Sequence, residues 1–386
     1  MSNGKLLSPV LNSEPTQTSA LEDSKEVPNT QSTRTTPRRS FLKGMGMAGA
    51  ALTASAILSG ESRAQNKSGK GRQLSTGDAA ILQFLATAEL LESDLWQQYT
   101  ELGGLSKGAQ NPYQLAFQQL DGDGSQYIAS NTFDEITHAN FLNAYLKMKG
   151  ATPVNLNKFR TLPSSKATGA QQIGRLTNLM QLTVDTSYYT RYRSQTNPDF
   201  GATYPQAIVL ADLPGIPRDN SDFGPTDHIQ AIANTAAFHF GAIEQGGSSL
   251  YSAMAQKAND VEVLRIVLSI GGDEVAHFLE WVDFAGNGVQ TPIAPFTDPT
   301  NGLTFPDFNA TGNPLLQTNL IFPIPCEFIN ASLPRCAVIR PTDPTGIAAG
   351  VVQFLTDMGL FIGQSSEFFD TLNSLAAAAD AAQRGF

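Results

Sequence analysis

Two pentapeptides decide the reading of this chain: Asp134-Glu135-Ile136-Thr137-His138 and Asp273-Glu274-Val275-Ala276-His277. Each sets a glutamate and a histidine three positions apart, with an aspartate in front. On a helix, residues three apart project from one face, so both side chains of a pair can reach one point in a bundle interior. A single glutamate stands upstream of each pair, Glu89 before the first and Glu244 before the second. The order along the chain is therefore Glu, Glu-x-x-His, Glu, Glu-x-x-His. Such a set on four helices is the donor set of a dinuclear carboxylate site inside a four-helix bundle. The chain has only 4 histidines, and two of them stand in this pattern.

Working outward, the second half repeats the first. Ala88-Glu89-Leu90-Leu91-Glu92-Ser93-Asp94-Leu95-Trp96 aligns with Ile243-Glu244-Gln245-Gly246-Gly247-Ser248-Ser249-Leu250-Tyr251, sharing glutamate, serine, leucine and a large aromatic. A helix pair has been used twice. Charge supports a metal between the copies. Buried carboxylates left unpaired cost about 3–5 kcal/mol each, or take up protons through raised pKa values. Two divalent ions would neutralise four of them. Carboxylate and imidazole donors together suit two Fe or Mn ions.

Around these six candidate ligands stand further candidates. Asp134 and Asp273 each lie four residues before a histidine. A ligating imidazole usually donates its other N–H to a carboxylate, so each aspartate is expected to orient a histidine, that of the other pair included. Tyr251 and Trp96 stand two turns after Glu244 and Glu89 and reach the same cavity, with core packing the simpler role. Glu92 lies one turn beyond Glu89, where the repeat has Gly247. It reads as a partly exposed acid beside the site, or as an extra ligand. His228 and His239 match nothing in the repeat and are assigned to core or surface.

Composition bounds the rest. The chain has 386 residues, 16% charged, with a net charge of -10. No basic patch recommends nucleic acid as a partner. Thr36-Pro37-Arg38-Arg39-Ser40-Phe41-Leu42-Lys43 resembles a twin-arginine signal, followed by an apolar run from Gly44 to Leu58 and a small-x-small site at Ser62-Arg63-Ala64. That run is too short for a permanent membrane span. The signal implies the twin-arginine export machinery as a partner and a periplasmic or extracellular location, reached after folding. Residues 1–64 are read as a disordered n-region and signal peptide. In an oxidising compartment Cys326 and Cys336 could close a small loop, or stay as two thiols.

The fold class expected is mainly α. Apolar residues at three- and four-residue steps predict helices from about Ser75 to Leu102, Gln126 to Lys149, Asp227 to Lys257 and Asp260 to Phe284. The bundle is placed at 75–290 with an inserted segment at 151–226, itself holding a further helix over Thr168–Arg193. A Pro-rich excursion follows at 291–345, with short strands in it. One C-terminal helix, within 346–386, packs on the bundle.

With these motifs and the loop Lys149-Gly150-Ala151-Thr152-Pro153-Val154, residues 76–285 resemble the ferritin-like superfamily. Within it they are similar to exported ferritin-like domain proteins that include desiccation-related proteins. The resemblance implies a ferritin-like four-helix bundle, a dimetal site and chemistry with a small oxidant such as oxygen or peroxide. The alternative it implies is a non-catalytic stress protein with a structural metal. The insertions depart from storage ferritins and argue against a cage. Thr137 and Ala276 stand where many oxygen-activating members carry arginine, which argues against a hydroxylase.

Overall fold

The structure, a computed structural model, describes residues 73–105, 111–191, 205–316, 329–336 and 343–385. The residues read as an export signal and Cys326 lie outside the described residues; Cys336 is exposed. No helix among the described residues is long and apolar enough to cross a membrane.

Four long helices carry the fold. Helix α1 (Thr76–Gly103) starts at Ser75, whose hydroxyl accepts the N–H of Asp78 and so satisfies one donor of the first turn. Gly104 ends it, its N–H returning to the Thr100 carbonyl. A short helix, α2 (Pro112–Leu120), follows. It has proline at its start and a capping box between Asn111 and Gln114. Helix α3 (Gly124–Met148) then runs back along α1. The second pair, separated from the first by α4 (Tyr188–Arg191), is α5 (Thr226–Lys257) and α6 (Val261–Asn287). Asp260 caps α6 by accepting the N–H of Glu262. Packing is closest within each pair, α1 on α3 and α5 on α6. The pairs meet more sparingly, α1 on α5 and α3 on α6. At their centre Trp96 and Trp281, both fully buried, stack with ring centroids 5.3 Å apart, and Phe240 and Tyr99 pack around them.

The inserted segment corrects one expectation. Among the described residues of 168–193 no helix forms before Tyr188. Residues 182–184 form β1 (Leu182–Val184), antiparallel to β2 (Leu210–Leu213), and α4 is a single turn. The competing interaction is Asp94 of α1. Its buried carboxylate accepts the backbone N–H groups of Leu176 and Thr177 at 2.9 Å each, the Thr177 hydroxyl at 2.8 Å and the Arg160 guanidinium at 2.6 Å. Backbone donors spent on a distant carboxylate cannot enter a helix ladder. Asp94→Ala strands this set of buried donors. It is expected to cost about 3–5 kcal/mol in urea unfolding, with a loss below 1 kcal/mol refuting the role.

The C-terminus corrects a second expectation. Instead of one helix there are two, α7 (Ile347–Asp357) and α8 (Ser366–Asp380). Gly359 and Gly363, at φ +81° and +94°, turn the chain between them. A Cβ at Gly359 would lie 2.6 Å from the Gln181 carbonyl, so glycine is needed for space as well as for φ. In the turn, the carbonyls of Met358 and Leu360 accept the N–H groups of Thr183 and Asn178. Helix α8 then packs on α1, and α7 on α5. The excursion carries the short pair β3 (Phe296–Thr297) and β4 (Thr304–Phe305). Asp298 and Thr300 tie it to the buried His228 of α5, at 2.9 Å each, and Asp222 takes the other ring nitrogen at 3.2 Å.

Candidate metal centre

Each long helix brings its carboxylate to the bundle interior: Glu89 from α1, Glu135 from α3, Glu244 from α5 and Glu274 from α6, all fully buried. Donor atoms of Glu89, Glu135, His138 and Glu274 lie within 4.8 Å of one another. A second group within the same limit is Glu135, Glu244, Glu274 and His277. Glu135 and Glu274 belong to both groups, whereas Glu89 and Glu244 belong to one each. The Glu-x-x-His spacing produces this sharing. It turns each pair's carboxylate to the centre and its imidazole to one side.

The histidines are held from outside. His138 Nδ1 faces Glu135 at 3.3 Å and Glu89 at 3.4 Å, and its Nε2 faces Asp273 Oδ2 at 3.2 Å. His277 Nδ1 faces Glu135 at 3.1 Å and Glu244 at 3.4 Å, and its Nε2 faces Asp134 Oδ2 at 3.4 Å. The aspartates are thus crossed, each on the histidine of the other pair.

Three further side chains shape the site. The Tyr251 hydroxyl donates to Glu89 Oε1. Trp96 packs against Trp281, and its indole nitrogen finds no hydrogen-bond partner among the described residues. Asn131, which the repeat does not point to because Ile270 stands in its place, donates to Glu135 Oε1 at 2.8 Å and to Glu244 Oε1 at 3.1 Å. It accepts the Trp281 indole N–H at 2.7 Å. Its one sequence signal is its position, one turn before Glu135 on the same face.

Glu92 corrects the reading of it as partly exposed. It is buried, and burial followed by the charges of Glu135 and Glu89 holds its carboxyl well above the usual range. The repeat explains the geometry. Gly247, at the equivalent place on α5, leaves the space that the Glu274 carboxylate enters, and a Cβ there would overlap Oε2 of Glu274. His239 is core: fully buried, it faces the Tyr99 hydroxyl at 2.8 Å, and burial lowers its pKa to about 3, so it is neutral.

The donor set fits a metal pair. Glu89 Oε2, Glu244 Oε2, both Glu274 oxygens and His277 Nδ1 are buried without a hydrogen-bond partner. Orphaned buried acceptors are rare in folded proteins unless water or an ion meets them. Without a metal the charges are balanced by protons. Burial, then Glu89 and Glu244, raises Glu135 to about 8, and burial, then Glu135, raises Glu274 well above its ordinary range. Burial lowers His138, but the carboxylates of Glu135 and Glu89 that face its Nδ1 outweigh it and raise the pKa to about 11.

A carboxyl raised in the folded state stabilises the fold fully below its unfolded pKa and loses that contribution as pH rises through its folded value. Glu135 places the window between about 4.5 and about 8. In chelator, the protein is therefore expected to melt at a lower temperature at the upper end of this window than at the lower end. A metal-free melting temperature that rises across it would contradict the proton-balanced site.

A family model described as ferritin-like domain matches residues 77–280, just over half of the chain. The chain belongs to that family. No curated protein and no solved structure matches it. The matched segment of this ferritin-like domain protein begins in α1 and ends in α6, so it contains all six candidate ligands and both aspartates. The C-terminal helices and the whole excursion lie beyond it.

Proposed function

We propose that this ferritin-like domain protein holds a dinuclear Fe or Mn centre and uses it for redox chemistry with oxygen or peroxide. The supporting observation is the pair of donor groups that share Glu135 and Glu274, with orphaned oxygens facing inward. Glu135 and Glu274, common to both donor groups, would hold the pair together with Glu89 and His138 from one group and Glu244 and His277 from the other. When bound, the ions supply reversible one-electron oxidation and Lewis acidity. The chain's residues do the rest. Asp273 and Asp134 keep the two Nδ1 atoms unprotonated and aimed inward by holding the proton at Nε2. Tyr251 and Asn131 fix the orientation of Glu89, Glu135 and Glu244. The aromatic layer of Trp96, Trp281 and Phe240 excludes water on one side.

In this reading the twin-arginine signal exports the protein to the periplasm or beyond after the metals are loaded. The likeness of its sequence motifs to exported ferritin-like and desiccation-related proteins supports this reading.

Metal analysis of protein from its native compartment tests the reading, followed by assays of peroxide disproportionation and Fe(II) oxidation. About two Fe or Mn per chain with either activity supports it. Bound metal that neither peroxide nor oxygen oxidises would make the centre structural. Asp134→Ala and Asp273→Ala are expected to weaken metal binding about 10–100-fold each, measured by competition with a chelator. Unchanged affinity would remove their orienting role.

A further inference from the structure

Between α3 and α6 lies a groove of about 720 Å³. That volume is in the range of small-molecule sites. Its walls are mostly apolar, with Phe141, Tyr145 and Met148 from α3 facing Ile266 and Ile270 from α6. Phe141 and Met148 are 51% and 68% exposed, which leaves apolar surface uncovered inside a concavity. The floor is Gly272, Asp273 and His138, so the groove ends against the outer edge of the candidate metal centre.

Two observations say what the groove takes. The first is charge. Of its charged groups, Glu262 accepts from the Tyr145 hydroxyl at 2.8 Å and pairs with Lys149, and Asp273 pairs with His138. The Arg265 guanidinium makes no hydrogen bond or salt bridge among the described residues, and it stands on the groove wall. Its charge reaches Glu262 through space, but among the described residues its donors are not spent on a direct partner. The second is Gly272. Glycine inside a helix costs about 1 kcal/mol relative to alanine. Gly272 has no positive φ to require it, and a Cβ there would meet nothing within 4 Å. Neither packing nor backbone explains the glycine. What it does is keep the floor open beside Asp273.

We propose that this groove binds an amphipathic organic anion, a carboxylate with a flexible apolar body, its head on Arg265 and its tail over Phe141, Tyr145 and Ile270 toward Gly272. Arg265 and Gly272 are seven residues apart, about 10 Å along the helix, which suits a chain of medium length. Burying the exposed faces of Phe141 and Met148 supplies the affinity, and the guanidinium selects the carboxylate. The inference goes beyond the dimetal reading, because binding in the groove needs no metal.

Calorimetric titration of the full chain with decanoate, decyltrimethylammonium and decanol tests it, with and without metal. Decanoate is expected to bind saturably and about tenfold or more tighter than the cation or the alcohol. Arg265→Gln should erase that preference. Gly272→Phe should fill the floor and abolish binding while the melting temperature and metal content hold. Equal binding of cation and anion, undiminished binding by Gly272→Phe, or no saturable binding of decanoate would each overturn the proposal. So would light scattering that shows the chain self-associating through this face, with Gly272→Phe releasing monomers. Decanoate binding in a protein that takes up no metal would sink the dimetal centre and leave the groove standing.

Discussion

Replacing Glu135 or Glu274 by alanine is expected to empty both metal positions, whereas replacing Glu89 or Glu244 is expected to empty one. The asymmetry follows from the shared donor groups. Glu135 and Glu274 belong to both, and Glu89 and Glu244 to one each. Without a shared carboxylate each ion loses a donor, and two divalent ions at close range lose the negative charge between them. Metal per chain should fall from about two to about zero in the first class and to about one in the second. Stability should follow with a change of sign. With metal at about a thousand times its Kd, the wild type gains about 4 kcal/mol from binding, and the Glu274→Ala variant gains none of it. In chelator the order reverses. Removing one of several repelling buried carboxylates relieves the metal-free core, so Glu274→Ala should then melt at or above the wild type. Equal metal loss in both classes would refute the shared carboxylates. A variant less stable than wild type in chelator would mean that Glu274 is held by protein contacts rather than by an ion.

The convergence of the candidate donors was legible in the sequence because its information is local. Glu-x-x-His fixes two donors on one helix face whatever the rest of the chain does, and the repeat finds the single glutamates. Helix periodicity also placed α1, α3, α5 and α6 close to their observed bounds. The readings that failed depend on partners far away in sequence. Nothing near Leu176 shows that its N–H is taken by Asp94, 82 residues upstream. The apolar pattern continues through Gly359, and only the neighbouring Gln181 carbonyl and the positive φ divide α7 from α8. Helix α2 was passed over between two glycine turns, although Asn111, Pro112 and Gln114 spell its start. Glu92 looked like a surface acid because acids usually are. The bundle instead buries it, within reach of the Glu135 and Glu89 charges.

Glu92 and Gly247 hold equivalent places in the two halves, and the difference between them bears on how the site tolerates change. At Gly247 the backbone of α5 approaches the Glu274 carboxylate so closely that a single methyl group would occupy the position of Oε2. Gly247→Ala is therefore expected to act as a ligand mutation although residue 247 ligates nothing. The helix itself should not suffer, since alanine is the better helix former by about 1 kcal/mol. What must move is Glu274, and with it a carboxylate common to both donor groups. Metal content should fall as far as in Glu274→Ala, with α-helical circular dichroism unchanged. Gly272→Ala is the control: also a helical glycine, it has open space where the methyl would go, and it should retain metal and melt slightly higher. A Gly247→Ala protein that keeps both ions would show that Glu274 can turn aside and still bind. The close approach of α5 to α6 would then be a feature of packing alone. If it loses both, the absent side chain at 247 is as much a part of the centre as the six side chains that line it.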